Sequence, residues 1–426
     1  MPMTAANRMR AIVLIDGEHQ PAVVADALAQ LSVEHEIAGV AFLGGEEKVS
    51  SAVLENPATV YGYDLVRGET PLAALRTALA TIPADVAIDL SDEPIADASE
   101  SLRLAGVVLA AGLSYRAPGM ELSALRPSNS SFAGPKIAVV GTAKRTGKTA
   151  VCGHLAQLMV GAGASPAIVS MGRGGPAEPQ LAIPPIGIEQ LLELAAGGAH
   201  AASDYLEDAT LANVPTVGCR RVGGGVSGAT HQTNFAAGVE LAAAIADVDA
   251  LLFEGSGATI PPVLADATIT IAGDVEQAQR GIGPARVAAA DLVLVRGATD
   301  DEVAQVRTMT EAVVSSFRMV SAPAVMPPAG ARVAAFTTGA TELDGLEPLL
   351  MSSNLARRDA LEDDLGNAER AGCDHFLVEI KAAAIDTVAR RATEIGASIG
   401  FIGNRPVSDV ADLDHLLLNV WQEAAR

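Results

Sequence analysis

A single stretch, from residue 135 to residue 149, constrains the fold of this chain more than any other. It reads PKIAVVGTAKRTGKT, and residues 137–140 are a run of small and β-branched apolar side chains, as in a parallel strand covered on both faces. A glycine-rich turn follows, and the next residues place apolar side chains at helical spacing. A strand, a glycine-rich turn and a helix in this order direct backbone N–H groups and a helix N-terminus toward phosphate oxygens. The stretch therefore predicts an α/β domain with a phosphate-binding loop.

This loop is one residue longer than the standard phosphate-binding loop. Five residues, 142–146, separate Gly141 from Gly147, where the standard motif has four. The longer spacing resembles the loop of dethiobiotin synthetase and related P-loop proteins, which also end in Gly-Lys-Thr; an ordinary glycine-rich turn is the alternative. Lys144 and Lys148 are two of only five lysines in the chain, which indicates that a compact ammonium group is needed here.

The loop and two later segments supply the predicted nucleotide, metal and catalytic residues. Lys148 should reach the β- and γ-phosphates of ATP, and Thr149 Oγ1 and the strand-end carboxylate Glu254 should hold Mg²⁺. Arg173 follows the next strand among three glycines and offers a planar fork for phosphate. The predicted ATP contacts are Gly141, Thr142, Lys144, Arg145, Thr146, Gly147, Lys148, Thr149 and Ala150, with Lys144, Lys148 and Arg173 as the catalytic cations.

Apolar strands alternate with helical segments along most of the chain, which predicts α/β domains with mainly parallel, open sheets. Residues 1–125 form the first predicted domain, residues 126–135 a linker rich in Pro and Ser, and residues 136–426 a P-loop domain with a C-terminal α/β extension. The polar side chains Asp16, Glu18 and His19 follow the first strand at its carboxyl end, where open sheets bind ligands. A merely solvated loop is the alternative for this cluster.

Further cationic side chains form a predicted binding surface for an anionic substrate. Arg220 and Arg221 precede a run of glycines and could hold an anion, with an ordinary surface loop as the alternative. Lys381 and Arg405 lie near the ends of two C-terminal strands, and we expect them on one rim of a sheet. These cations are significant because the rest of the chain is acidic and would repel an anionic ligand.

The charge balance and the apolar pattern restrict the partners and the compartment. The 51 Asp and Glu residues exceed the 29 Lys and Arg residues, and the net charge of −22 disfavours nucleic acid as the main partner. The N-terminus lacks the basic-then-apolar pattern of a secretory signal, and no unbroken apolar run approaches about 18 residues. Three widely spaced cysteines fit a reducing compartment. We therefore expect a cytoplasmic protein without a membrane partner.

Six motifs in combination resemble the cyclic 2,3-diphosphoglycerate synthetase family. They are IDGEH at 15–19, GTAKRTGKT at 141–149, MGRGGP at 171–176, SDYLEDA at 203–209, FEGSG at 253–257 and NRP at 404–406. The resemblance implies an ATP- and Mg²⁺-dependent ligase that closes 2,3-bisphosphoglycerate into a cyclic pyrophosphate and releases ADP and phosphate. The expected contacts to this small phosphorylated acid are Asp16, Glu18, His19, Arg173, Arg220, Arg221, Lys381 and Arg405.

Two other functions remain compatible with these residues. A small-molecule kinase would transfer phosphate to a phosphoglycerate-like acid without closing a ring. A P-loop regulatory ATPase would act with a protein partner, and rapid ATP turnover without any small acid would favour it. The sequence does not decide the oligomeric state, and a homodimer is kept as an option.

Overall fold

The computed structural model describes residues 8–197, 203–224, 226–381 and 384–426. Residues 1–7, the start of the first predicted domain, lie outside these ranges. The described chain contains two separate sheets, both mainly parallel and covered by helices, so the predicted α/β fold class is confirmed. Within the described ranges, no helix combines the length and the apolar character that a membrane crossing needs.

The first sheet has six strands and lies between residues 10 and 122. Its strands are β1 (Arg10–Ile15), β2 (Glu36–Phe42), β3 (Leu65–Val66), β4 (Val86–Asp89), β5 (Ser114–Ala117) and β6 (Met120–Leu122), and its helices are α1 (Pro21–Glu34), α2 (Ser51–Glu55), α3 (Ala58–Tyr61), α4 (Pro71–Thr81) and α5 (Ala98–Ala110). The order is β3-β2-β1-β4-β5-β6, and only the β5–β6 pair is antiparallel. Because the chain runs outward from β1 in both directions, the carboxyl ends of β1 and β4 border a crevice where ligands of open sheets bind.

Strand β1 is a continuous apolar run because both faces of this sheet are covered. Ile12 and Leu14 pack with side chains of α4 and α5, whereas Val13 and Ile15 pack with α1 on the other face. This packing on both faces makes β1 a rigid central strand. The segment after Ile15, at the end of this strand, carries the first polar cluster.

The second sheet contains the other 13 strands of the described residues. The strands are β7 (Lys136–Gly141), β8 (Pro166–Gly172), β9 (Gln180–Ala182), β10 (Thr216–Val222), β11 (Gln232–Thr233), β12 (Ala250–Glu254), β13 (Ala267–Ala272), β14 (Leu292–Arg296), β15 (Val313–Pro323), β16 (Val333–Phe336), β17 (Leu350–Ser352), β18 (His375–Glu379) and β19 (Ser398–Val407). The helices are α6 (Lys148–Gly161), α7 (Ile188–Ala196), α8 (Asp204–Leu211), α9 (Phe235–Ala243), α10 (Val275–Gln279), α11 (Gly283–Ala288), α12 (Asp300–Arg307), α13 (Arg358–Arg370), α14 (Arg390–Ile395) and α15 (Leu413–Ala424), with a π-helical turn at Ala384–Ala389.

The order of the second sheet brings distant segments to one edge. Strand β7 lies between β12 and β13, β8 lies beyond β12, and β10 lies beyond β8, all parallel to their neighbours. The carboxyl ends of β7, β8, β10 and β12 therefore meet at the same edge. Strand β15 pairs in parallel with β14 through its first half and antiparallel with β19 through its second half, so the C-terminal strands continue this sheet.

The two sheets meet through helices α5 and α11. A Cβ on Gly106 of α5 would lie 2.8 Å from the backbone nitrogen of Ala285 and 3.0 Å from Cβ of Pro284, so the helices approach as closely as a glycine allows. Nearby, Nη1 of Arg76 donates a hydrogen bond to the carbonyl of Thr308 at 2.9 Å. These contacts dock the first sheet on the second.

Candidate active site

The loop between β7 and α6 has a backbone that holds an open helix N-terminus. Gly147 has a φ of 108°, and a Cβ there would lie 2.2 Å from Cε of Met319, so only glycine fits. The N–H of Thr142 donates to the carbonyl of Ile271 at 3.0 Å and fixes the loop against β13. No side chain caps the first turn of α6, which leaves its N–H groups free to bind an anion.

Lys148 lies inside this loop, with only 7% of its surface exposed. Its Nζ donates to the carbonyl of Ala143 at 3.1 Å. Burial lowers the pKa of Lys148, and the nearby Glu254 carboxylate opposes that shift. Thr146 Oγ1 is also buried and has no hydrogen-bond partner among the described residues, as expected of a donor that awaits a ligand.

The other predicted loop residues differ in how much of their surface is exposed to solvent. Lys144 and Arg145 are exposed at the outer part of the loop, whereas Thr149 and Ala150 are half-buried in the first turn of α6. Arg145 has a φ of 63°, an uncommon conformation for a residue other than glycine. Lys148 and Thr149 therefore face the site more directly than Lys144 and Arg145 do.

Glu254 ends strand β12 beside this loop and is 2% exposed. Its Oε1 accepts a hydrogen bond from Thr149 Oγ1 at 2.5 Å, and its Oε2 accepts one from Ser170 Oγ at 2.5 Å. Burial and then the Asp204 carboxylate raise the pKa of Glu254, while the two hydroxyl donors oppose the shift. The two residues predicted to hold Mg²⁺ thus lie side by side.

Helix α8 adds three carboxylates that the sequence reasoning did not assign to the site: Asp204, Glu207 and Asp208. Their spacing on one helical face, within the motif SDYLEDA, was the available signal. Asp208 is buried, and its Oδ2 has no hydrogen-bond partner among the described residues. Burial and then Glu254 raise the pKa of Asp208 well above its ordinary value. Lys381 compensates part of this charge, with its Nζ 3.4 Å from Glu207 Oε1.

Glu207→Gln should flatten the pH dependence of the unfolding free energy. Burial raises the pKa of Glu207 from its ordinary 4.5 to about 7, although Lys381 opposes the shift. A carboxyl group whose pKa rises on folding contributes stability that is fully present below pH 4.5 and lost as the pH rises through 7. The wild-type protein should therefore lose about 3 kcal/mol over this interval that the variant does not lose.

Urea unfolding at several pH values across this interval measures the effect. Glu189→Gln is the matched control, because Glu189 is exposed on the neighbouring helix α7. Parallel pH profiles for the wild type and Glu207→Gln would contradict the raised pKa.

Arg173 and Arg221 converge on the turn formed by residues 255–259. A Cβ on Gly257 would lie 3.1 Å from Nη2 of Arg173 and 3.4 Å from Nη2 of Arg221. Arg221 is buried, and it donates to the carbonyl of Gly223 at 2.7 Å and to that of Ser256 at 2.9 Å. Burial lowers the pKa of Arg221, and Arg173 lowers it further. Both arginines also lower the pKa of Lys148, which indicates one cationic cluster.

Arg220 does not belong to this cluster. It is exposed, and adjacent residues in a strand point to opposite faces of the sheet. Its backbone N–H donates to Oδ1 of Asn234 at 2.8 Å. Of the two neighbouring arginines, the structure thus brings only Arg221 to the phosphate-binding loop.

A cleft of about 210 Å³ opens beside Thr149. Glu207 and Asp208 line one side, and Asn404 and Arg405 of β19 line the other. Arg405 is exposed and contacts Asp344 through Nη2 at 3.2 Å. The C-terminal strands therefore contribute Arg405 and, through its contact with Glu207, Lys381 to the same region.

The first polar cluster lies in a different cavity of about 590 Å³ at the crevice between β1 and β4. Asp16 has no exposed surface; its Oδ1 accepts from Nδ1 of His19 at 2.9 Å, and its Oδ2 accepts from the N–H of Asp92 at 2.7 Å. Glu18 is paired with Lys48. Asp16 and His19 both line the cavity, and Asp16 holds the imidazole of His19 in place. No lysine or arginine of the described chain lines this cavity.

The residues at the phosphate-binding loop fit a magnesium ion that shares its ligands with phosphate. Among the described residues, no three His, Cys, Asp or Glu side chains are arranged to hold a metal by themselves. Mg²⁺ at phosphate sites needs only one or two protein oxygens, because water and phosphate oxygens complete its coordination. The adjacent oxygens of Thr149 and Glu254 supply this minimum, and the unpartnered Oδ2 of Asp208 lies close by.

Comparisons with known proteins match nearly the whole chain. Three family models match: cyclic 2,3-diphosphoglycerate synthetase, N-terminal domain, at residues 10–123; its P-loop domain at 136–324; and its C-terminal domain at 332–405. The chain is 39% identical to the cyclic 2,3-diphosphoglycerate synthetase of Rubrobacter xylanophilus over 98% of each chain. It is 34% identical to that of Methanothermobacter thermautotrophicus over 100% of this chain and 98% of the relative. The matched P-loop domain supports nucleotide binding at the site described above.

Proposed function

The chain belongs to the cyclic 2,3-diphosphoglycerate synthetase family, and on this premise we propose that it uses ATP and Mg²⁺ to close 2,3-bisphosphoglycerate into cyclic 2,3-diphosphoglycerate, with release of ADP and phosphate. The observation that carries the proposal is the convergence of Lys148, Arg173 and Arg221 beside a P-loop helix in a chain with a net charge of −22. The acidic protein as a whole repels anions, so a local cluster of cations is what allows phosphates to bind.

The proposed reaction has two phosphoryl transfers. First, an oxygen of one substrate phosphate attacks the γ-phosphorus of ATP, the bond from that phosphorus to the β–γ bridging oxygen breaks, and ADP leaves. Next, an oxygen of the second substrate phosphate attacks the phosphorus of the activated group. The bond to the γ-derived phosphate then breaks, so inorganic phosphate leaves and the P–O–P ring is closed. No general base is required, because the attacking phosphate oxygens are already ionised.

The protein groups act by neutralising charge and by fixing geometry. ATP and the acid together bring about eight or nine negative charges to the site near neutral pH. Lys148 would neutralise charge on the γ-phosphate of ATP, and the exposed guanidinium of Arg173, close enough to lower the pKa of Lys148, would add a second cation. Holding both phosphate groups of the acid in a ring-closing arrangement makes the second step intramolecular and lowers its entropic barrier.

Mg²⁺, when bound, would neutralise charge on the β- and γ-phosphate oxygens and orient them. Thr149 Oγ1 and the Glu254 carboxylate are the groups that would hold it, with the carboxylate acting directly or through water. In the structure these two groups are hydrogen-bonded to each other.

Phosphorus NMR tests the proposed reaction directly. A reaction with ATP, Mg²⁺ and 2,3-bisphosphoglycerate should yield the resonances of a ring pyrophosphate together with ADP and inorganic phosphate. Consumption of ATP with a new linear phosphate ester and no ring would support the kinase instead. ATP hydrolysis that is independent of the acid would support a regulatory ATPase.

The acid could bind at the arginine cluster or in the N-terminal cavity. The positive charge of the arginines favours the cluster. Arg173→Gln should raise the KM for the acid roughly 10- to 100-fold, because it removes a charge-assisted hydrogen bond to phosphate. The KM for ATP should change less. Steady-state kinetics with each substrate varied separately measures both values.

Arg220→Gln is the matched control, since Arg220 is also an exposed arginine but points away from Arg221 and the phosphate-binding loop. His19→Ala tests the N-terminal cavity, where Asp16 holds the imidazole in place. A rise in the KM for the acid in His19→Ala, with none in Arg173→Gln, would move the acid to the N-terminal cavity.

A further inference from the structure

Arg286 on α11 is a buried cation that the proposed chemistry does not use. It is 1% exposed, the largest side chain among the fully buried residues that the structure describes. Its Nε and Nη2 donate to the carbonyl of Ala258 at 2.8 and 2.5 Å, and its Nη1 donates to the carbonyl of Ile282 at 2.8 Å. Burial alone lowers its pKa to about 10, with no carboxylate of the described chain opposing the shift. A buried charge without an ionic partner is unfavourable, so this position calls for a specific role.

The carbonyl that Arg286 holds belongs to the 255–259 turn. On the other side of this turn, the carbonyl of Ser256 accepts from Nη2 of Arg221, and Gly257 lies against Arg173. Gly257 has a φ of 62°, so the path of the turn depends on a conformation that glycine adopts readily. Arg286 therefore holds the turn at the carbonyl of Ala258, while the same turn holds Arg221 through the carbonyl of Ser256 and lies against Arg173.

Helix α11 is also the surface on which the first sheet docks. Gly106 of α5 lies against Pro284 and Ala285, the two residues immediately before Arg286. Ala288, at the end of α11, packs into the core of the first sheet with the side chains of α4 and α5. A shift of α5 would move α11, and the two hydrogen bonds from Arg286 to the carbonyl of Ala258 would transmit the movement to the turn.

We propose that Arg286 is a positioning residue through which docking of the N-terminal domain on α11 sets the positions of Arg173 and Arg221, and with them the affinity of the site for the phosphorylated acid. The inference rests on the proposed function for the identity of that acid. It gives the N-terminal domain a part in substrate binding that requires no direct contact with the substrate.

Calorimetric binding of 2,3-bisphosphoglycerate and, separately, of ADP to the full-length protein tests the inference. Arg286→Met should weaken binding of the acid roughly 3- to 30-fold while leaving the affinity for ADP near its wild-type value. Gly106→Ala should act in the same direction, because the new methyl group would lie 2.8 Å from a backbone nitrogen of α11 and force the helices apart. Since both changes act through one contact, the double variant should bind the acid more tightly than the product of the two single effects predicts.

Arg280→Met and Gly161→Ala are the matched controls. Arg280 is an exposed arginine shortly before α11, and Gly161 is a helical glycine with open space around it.

A folded Arg286→Met variant with wild-type affinity for the acid would overturn the inference, as would equal losses for the acid and for ADP. If Arg286→Met does not fold, the test rests on Gly106→Ala alone. Unchanged binding of the acid in Gly106→Ala would then overturn the inference. A wild-type protein that binds the acid without cyclising it would refute the proposed function only.

Discussion

Lys148→Ala should abolish turnover in a protein that still folds. The ammonium group stabilises charge on the transferring phosphoryl group, and the loss of one such contact in a preorganised site costs about 3–4 kcal/mol, or some hundred- to thousand-fold in kcat. Folding should survive, because the only hydrogen bond that Lys148 Nζ donates within the described protein is to the carbonyl of Ala143. Burial already disfavours the charged form of Lys148, so its removal also relieves an unfavourable term in the ligand-free protein.

Turnover of ATP and the acid, together with the circular dichroism spectrum, measures the two halves of this prediction. Lys136→Ala is the control for loss of a lysine, since Lys136 begins the same strand at its opposite end and pairs with Asp266 at 2.8 Å. It should leave kcat near the wild-type value. A folded Lys148→Ala protein with wild-type kcat would reject the assignment of residues 141–149 as the nucleotide loop.

Glu254→Gln should raise the Mg²⁺ concentration needed for half-maximal activity and lower kcat, each roughly 10- to 100-fold. An amide keeps the size of the side chain but cannot supply the negative charge that a divalent cation requires. The buried position strengthens the effect, because solvent screens the attraction between the cation and a side chain that is 2% exposed only weakly. A titration of kcat with Mg²⁺ measures the change, and an unchanged midpoint would mean that Glu254 is not at the metal.

The same substitution should not weaken the fold in metal-free buffer. Burial raises the pKa of Glu254, so the stability that its protonated form contributes is lost as the pH rises above its ordinary 4.5. The neutral amide avoids that loss, and thermal unfolding in EDTA at pH 8 should show a Tm at least as high as that of the wild type. Ser170→Ala is the control: it removes the hydrogen bond to Glu254 Oε2 but keeps the carboxylate charge. The Mg²⁺ midpoint should shift less in that variant than in Glu254→Gln, because the charge next to the cation is kept.

Several features of this site were predictable because they depend on neighbours in sequence. The positive φ of Gly147, the open first turn of α6 and the inward position of Lys148 all follow from a strand, a tight turn and a helix in succession. The apolar run of β12 likewise predicts a buried strand that ends on Glu254. Backbone sterics and hydrophobic periodicity act over a few residues, and the sequence displays them directly.

Other features could not be predicted because they depend on the order of the strands. Arg220 and Arg221 are adjacent in sequence, yet only Arg221 reaches the 255–259 turn, since the register of β10 decides which side chain faces it. The carboxylates of α8 are spaced as on any solvated helix, and only packing brings Asp208 against Glu254. Asp16 follows a strand as a ligand-binding residue would, and only the fold shows that its carboxylate is buried and holds His19 and the backbone of Asp92.

By itself, the sequence determined the α/β class, the phosphate-binding loop and its strand-end carboxylate, and it carried the motifs by which the family is recognised. Only the tertiary structure decided which distant charges share a site and which polar residues serve as supports. The physical reason is the distance along the chain over which each effect acts. Local conformation is set by dihedral preferences and by periodic burial within one element. Charge clusters and the buried position of Arg286 arise instead where elements far apart in the chain pack together, and their free energies depend on that packing.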